Sequence, residues 1–216
     1  MEEQGSKKKY LLPLLVLTGL ILVVGGSYAL WQITLQQTDT NIITTGCFKV
    51  DFKDANPINL QEALPITDDE GKILLPYEVT LTNTCASYAT YQVNMEVLNT
   101  TTFNRHEFIK VNFEDRTPVV LTSKTEAAPT IANAIKAYRI ESGFLNPNEE
   151  KTLKLRLWIS DDAPVSEEIM NKLFESKVTI ITSYHNEAPT YEERVNTCKE
   201  DGYTEEFCTT DNAQYQ

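Results

Sequence analysis

The two histidines are the first residues to consider for metal or acid–base chemistry, because the chain contains only His106 and His185. His106 precedes Glu107 in NRHEFIK, which begins like the H-E-x-x-H pattern of zinc proteases. The second histidine of that pattern would fall at the position of Lys110. We expect His185 to lie in an exposed loop at a strand end. The sequence therefore predicts no metal ligand at either histidine.

Other signatures of enzyme chemistry are missing from the sequence. It contains no G-x-S-x-G nucleophile elbow, no glycine-rich phosphate loop and no cysteine environment that suggests an activated thiolate. Two acidic clusters, TDDEGK at 67–72 and SDDAP at 160–164, lack the spacing of an EF-hand loop. We interpret both as solvated turns, with Gly71 as a turn residue. We therefore predict no catalytic, cofactor-binding or metal-binding residue, and a protein that is not an enzyme.

The charge balance argues against one class of partner. The chain has 31 acidic and 19 basic residues, which gives a formal net charge of -12. A phosphate backbone would be repelled, and counterion release could not drive binding. We therefore predict no nucleic-acid partner.

The four cysteines predict two disulfides, since their spacing is neither C-x-x-C nor paired with nearby histidines. Four cysteines allow three pairings. Cys47 begins one predicted strand and Cys85 ends another, so a bond between them would join neighbouring strand ends. Cys198 and Cys208 are close in sequence and would close a local loop. We favour these two pairs.

The N-terminal segment determines the predicted location of the protein. Lys7 to Lys9 precede an apolar run at 11–24, which is typical of a signal peptide. Ser27-Tyr28-Ala29 has the small-x-Ala form that a signal peptidase accepts, so we predict cleavage between Ala29 and Leu30. The alternative is a retained transmembrane anchor over residues 11–31, because such a helix could cross a bilayer of about 30 Å. A buried soluble helix is the third alternative. In the first two cases the remaining chain is secreted or displayed on the cell surface.

The rest of the chain reads as short alternating segments separated by turn residues. Examples are CFKVDF from Cys47, YEVTLTN from Tyr77 and TLKLRLWI from Thr152. Parallel sheets need crossover helices, and only two weak helical stretches occur, at 126–138 and 166–174. The sequence predicts an all-β fold, an antiparallel β-sandwich with one or two short helices, preceded by an N-terminal hydrophobic helix. We divide the chain into a signal peptide or anchor (1–29), a β-sandwich domain (30–185) and an acidic, disulfide-looped, mobile tail (186–216).

The run GGSYALWQITLQQTDTNIITTGCFKVDF at 25–52 resembles the start of the TasA and camelysin family of exported Gram-positive proteins. The shared positions are Gly25, Gly26, Ala29, Asn41, Gly46 and the strand Phe48 to Phe52. LPYEVTLTNTCASYATYQVNMEV at 75–97 is similar to the strand pair of that family that carries a T-x-T-N element.

The resemblance implies a jelly-roll-like sandwich that a dedicated signal peptidase processes and that serves as a surface or biofilm-matrix component. In fibre-forming members, the new N-terminal segment pairs as a strand with the next subunit. In WQITLQQ at 31–37, Trp31, Ile33 and Leu35 alternate with polar residues and would form such a donor strand. The alternative is an edge strand within its own domain. Camelysin-like relatives also imply a metal-dependent protease.

We therefore expect an exported structural protein of the cell surface or extracellular matrix, with fibre assembly by strand exchange through residues 31–37 as the more specific hypothesis. Its expected partners are a signal peptidase and further copies of itself, with the membrane added if the N-terminal segment is uncleaved. Two alternatives remain: a membrane-anchored adhesin or ligand-binding module, and a metal-dependent protease of the camelysin type.

Overall fold

The computed structural model describes residues 33–36, 42–53, 58–61, 63–114 and 116–210. The predicted cleavage site at Ala29 and Leu30, the hydrophobic helix and Trp31 lie outside these residues. The chain divides into two compact units, Met1–Ile33 and Thr34–Gln216, and the β-sandwich belongs to the second. Among the described residues, no helix is both long and apolar enough to span a bilayer.

The predicted antiparallel β-sandwich is confirmed. The described strands, in chain order, are β1 (Ile33–Gln36), β2 (Ile42–Thr45), β3 (Phe48–Phe52), β4 (Ile58–Gln61), β5 (Tyr77–Asn83), β6 (Tyr88–Leu98), β7 (Ile109–Phe113), β8 (Val119–Val120), β9 (Thr125–Ala127), β10 (Ala134–Leu145), β11 (Glu150–Ile159) and β12 (Leu173–His185). The helices described are short: α1 (Asp68–Lys72), α2 (Tyr191–Glu200) and α3 (Glu205–Thr210).

The strands form two six-stranded sheets. In the first sheet the order is β1, β12, β6, β10 and β9, and β4 also pairs with β12. In the second sheet the order is β2, β3, β5, β11, β7 and β8. The core follows from the alternation of apolar residues, because every second side chain of a strand points to the same face. On β3, for example, Phe48, Val50 and Phe52 are fully buried.

Neither of the two stretches that were predicted to be weakly helical, 126–138 and 166–174, forms a helix. Residues 126–138 contain the end of β9, a loop and the start of β10, whose Ala134–Leu145 pairs with β6 along its length. Sheet pairing overrides the helix propensity of the alanines there. At 166–174, one turn closes where the N–H groups of Ile169 and Met170 donate to the Ser166 carbonyl, and the chain then enters β12.

The C-terminal tail also differs from the expectation of a mobile appendage. Thr190 begins α2 with a capping box, in which its hydroxyl accepts from the Glu193 N–H and the Glu193 carboxylate accepts from the Thr190 N–H. The Cys198–Cys208 disulfide joins α2 to α3. Val195 and both cysteines are buried, with Tyr203 and Phe207 packed against them. We call residues 190–210 the C-terminal hairpin.

Candidate functional site

His106 lies in an aromatic environment rather than among metal ligands. Its Nδ1 is 3.0 Å from the Tyr138 hydroxyl, and its ring meets the Phe174 ring edge-on with 5.5 Å between centroids. Burial lowers its pKa. His185 ends β12 and is exposed. In the described part of the chain, no three His, Cys, Asp or Glu side chains converge as a metal site.

The acidic segment at 67–72 forms α1, not the predicted turn. Thr67 caps the helix, because its hydroxyl accepts the Glu70 N–H at 3.3 Å and its own N–H donates to the Glu70 carboxylate at 2.9 Å. These hydrogen bonds lower the pKa of Glu70. The acidic residues in the first turn therefore stabilise the N-terminus of the helix. Gly71 is buried within α1, and its role is to allow close packing.

Both favoured disulfides are present, Cys47–Cys85 and Cys198–Cys208. Their presence indicates an extracellular or otherwise oxidising environment. Cys47 directly precedes β3, and Cys85 follows β5, its neighbour in the second sheet. The bond therefore closes the same end of two paired strands, as the sequence predicts.

A buried ionic cluster was not predicted from the sequence. The register of β10 against β6 shifts between Arg139 and Glu141, so that Glu141 lies opposite the buried Val93. Such a bulge turns a side chain toward the other face. The Glu141 carboxylate is fully buried and accepts from Arg116 at 2.5 Å and from the Tyr203 hydroxyl at 3.0 Å.

Lys124 joins this cluster from the short segment before β9. Its Nζ lies 3.7 Å from the centroid of the Tyr203 ring and 3.5 Å from the main-chain oxygen of Asp201. Burial lowers the pKa of Lys124 to about 8, although Glu141 and Asp201 act in the opposite direction. Burial, followed by the charge of Glu141, raises the pKa of Tyr203. The cluster therefore contains a lysine with a pKa of about 8 and a tyrosine whose raised pKa keeps its proton in alkali.

Asp201 connects the C-terminal hairpin to the edge of β10. Its Oδ2 accepts from the backbone N–H of Ser142 at 2.6 Å, and its Oδ1 accepts from Arg139 Nε at 2.6 Å. Arg139 also donates to Glu200 at 2.9 Å. Asp201 and Glu141 have no exposed side-chain surface. The hairpin is therefore attached to the first sheet largely through buried charged groups.

The predicted donor strand takes a position at a sheet edge. Its residues Ile33 and Leu35 belong to β1, which neighbours β12 at the end of the first sheet. β4 pairs with Leu173–Ser176 of the same strand. β12 is thus flanked on its outer side by two four-residue strands that precede it by more than a hundred residues. Edge positions of this kind are where strands of different chains can pair.

Comparisons with known proteins give no family. No protein-family model matches the chain, and no curated protein matches it. AvmM, which catalyzes macrocyclization in alchivemycin A biosynthesis, is 13% identical with a TM-score of 0.27, over 62% of this chain and 91% of that chain. The catalytic domain of a GH87 α-1,3-glucanase in complex with tetrasaccharides is 12% identical with a TM-score of 0.20, over 74% of this chain and 29% of that chain. At such TM-scores, neither supports a conclusion about function.

Proposed function

We propose that this protein is an exported structural component of a cell surface or extracellular matrix, and that its copies join by exchange of β1. The observation that supports this proposal is the position of β1. It is the first described strand of the chain, it is short, and it neighbours β12 at the edge of the first sheet. Replacing it with β1 of another copy would exchange one set of main-chain hydrogen bonds for an equivalent set.

The chemistry of the described residues supports a structural role. His106 packs against Tyr138 and Phe174. The acidic segment at 67–72 forms a helix and its N-terminal cap, and the cysteines form disulfides. Two disulfides and a sandwich core suit a protein that must persist outside the cell. Strand exchange would follow export, because cleavage by the signal peptidase frees the chain ahead of β1. Cleavage between Ala29 and Leu30 would leave an N-terminus three residues before β1.

The proposal is tested on the full precursor expressed in a Gram-positive host. The N-terminus and intact mass of the exported material are determined by mass spectrometry, and its size by light scattering. We expect a chain that begins at Leu30 and that forms assemblies of several copies. An intact chain confined to the membrane fraction would favour an anchored adhesin instead. A zinc-dependent proteolytic activity that is lost in His106→Ala would favour the protease.

A further inference from the structure

Three consecutive aliphatic residues are exposed in the connection between α1 and β5. The exposed fractions are 83% for Ile73, 39% for Leu74 and 95% for Leu75. Single exposed apolar side chains are common on protein surfaces, but a group of neighbouring ones often marks a binding site. This group, which with Pro76 we call the apolar loop (residues 73–76), is therefore a candidate for contact with a ligand.

A cleft of about 650 Å³ lies beside the apolar loop. Its volume is within the range of about 300 to 1,000 Å³ that is usual for small-molecule sites. The cleft lies where β5 begins, since Tyr77 pairs with Leu155 and β11 continues beyond that pair to Ile159. Its apolar lining comes from β4, the apolar loop and β11, through Ile58, Leu74, Leu75, Pro76, Leu155 and Leu157. An apolar chain that lies in the cleft would be shielded from water.

Arg156 supplies a cation at the cleft that no acidic side chain neutralises directly. Its Nε donates to the Leu74 carbonyl oxygen at 2.8 Å, and its Nη1 lies 3.4 Å from Asn112 Oδ1. Among the residues that the structure describes, no carboxylate forms an ion pair with Arg156. The other cation of the lining, Lys53, is paired with Glu78 at 2.7 Å. Arg156 therefore retains donors for an anion, and charge-assisted hydrogen bonds to a carboxylate are among the stronger ones.

We propose that this cleft binds a single-chain amphiphile with an anionic head, the chemistry of a fatty acid. The carboxylate head accepts hydrogen bonds from Arg156, and the apolar chain lies against Leu75 and Leu157. Contact with the chain removes from water the aliphatic surface that the apolar loop exposes. This binding goes beyond the structural role proposed above, and it does not depend on the exchange of β1.

The charges around the apolar loop favour a single ligand molecule over a larger anionic partner. The helix before the loop carries Asp68, Asp69 and Glu70 in its first turn. An anionic bilayer surface, or a second copy of a chain with a formal net charge of -12, would be repelled there. One carboxylate that enters the cleft beside Arg156 meets a cation first.

Leu75→Ser and Arg156→Gln test the two parts of the site. Val165→Ser is the matched control for the first variant, because Val165 is 86% exposed and does not line the cleft. Arg105→Gln is the control for the second, because Arg105 pairs with two carboxylates away from the cleft. The Leu75 side chain is almost fully exposed, so its replacement leaves the packing of the fold intact.

Isothermal titration calorimetry measures the binding of sodium decanoate to the full exported chain. Decanol serves as the ligand with an uncharged head, and sodium hexanoate as the ligand with a shorter chain. We expect one saturable decanoate site and affinities about ten-fold lower for decanol, for hexanoate and for decanoate with Leu75→Ser. In Arg156→Gln the preference for decanoate over decanol should disappear. Both control variants should bind decanoate like the wild type.

Three results of the titrations would overturn the proposal: no saturable binding of decanoate, equal affinity in Leu75→Ser and the wild type, or a preference for decanoate that survives Arg156→Gln. Vesicles of phosphatidylcholine and analytical ultracentrifugation test the other occupants. Binding to the vesicles without binding of decanoate would assign the apolar loop to a membrane. A dimer that Leu75→Ser dissociates, again without decanoate binding, would assign it to a second copy.

Discussion

The indole ring of Trp158 lies directly beneath Gly71, where a Cβ would come within 2.3 Å of the ring. Trp158 pairs opposite Lys110, so its side chain lies on the polar outer face of the second sheet. It is nevertheless 2% exposed, because α1 covers it. Gly71 thus lets this five-residue helix pack directly on one aromatic side chain, and an ion pair of 3.5 Å between Asp68 and Lys110 also joins the helix to the second sheet.

Gly71→Ala should destabilise the protein by about 1 to 3 kcal/mol, because the added methyl group overpacks a rigid ring. Helix propensity alone would predict the opposite, since alanine is favoured over glycine by about 1 kcal/mol inside a helix. Urea unfolding decides which effect is larger. Asp69→Ala in the same helix, where the side chain is 97% exposed, should change the free energy of unfolding by less than about 0.5 kcal/mol. Stabilisation by Gly71→Ala would contradict the packing.

Arg116→Met should cost about 3 to 5 kcal/mol, because it leaves the fully buried Glu141 carboxylate without its closest cation. Adding Glu141→Leu removes that buried charge, so the double variant should be more stable than Arg116→Met alone. Arg105→Met is the matched control. Arg105 has equally short ion pairs, 2.6 Å to Glu107 and to Glu168, but it is 38% exposed. Its loss should leave the free energy of unfolding close to that of the wild type, because solvent screens exposed ion pairs. Equal losses in the two arginine variants would contradict a special role of burial.

The lowered pKa of Lys124 predicts that the free energy of unfolding rises with pH. The unfolded lysine keeps its proton up to its ordinary pKa of 10.5, while the folded one loses it near pH 8. The unfolded state therefore binds more protons in this window, and stability increases from about pH 8 by at most about 3 kcal/mol. Above about pH 10 the sign reverses, because Tyr203 keeps its proton when folded and loses it when unfolded.

Thermal unfolding between pH 7 and pH 10 checks this prediction. Lys124→Met should remove most of the increase, since methionine does not titrate. Lys124→Arg should remove it as well, because arginine stays charged throughout, and this variant should be less stable than the wild type at pH 9.5. An undiminished increase in both variants would assign the effect to other groups.

The two disulfides should differ in their contribution to stability. Cys47–Cys85 spans 38 residues and Cys198–Cys208 spans 10. Chain-entropy arguments give losses of about 4 and about 3 kcal/mol when they are removed. Because the second pair lies within the C-terminal hairpin, its loss should chiefly loosen that hairpin, whereas Cys47→Ser/Cys85→Ser should lower the midpoint of global unfolding. A larger shift of that midpoint from the hairpin pair would contradict this ordering.

The strands were predictable from the sequence where a strand buries one face only. β3 and β11 follow strict alternation, and both begin close to the positions that the pattern indicates. The stretch at 126–138 was wrongly assigned as weakly helical, because the strand β6 that pairs with its second half lies far away in sequence. Gly71 looked like a turn residue, since nothing nearby in sequence reveals that Trp158 lies against it.

The ionic cluster could not be predicted for a similar reason. Arg139 and Glu141 are two residues apart, which in a regular strand would place both on the same outer face. The bulge separates them, and only the register against β6 reveals it. The acidic composition of the hairpin likewise concealed that Asp201 is among its most buried residues.

Assembly of exported protein that carries Thr34→Pro tests whether the copies join through β1. Proline removes a backbone donor from β1, and Thr44→Pro makes the same change in β2, the four-residue edge strand of the second sheet. Light scattering and negative-stain electron microscopy report the size of the assemblies. We expect Thr34→Pro to abolish the assemblies and Thr44→Pro to leave them intact. Assemblies that survive Thr34→Pro, or a wild-type protein that stays monomeric after export, would contradict joining through β1.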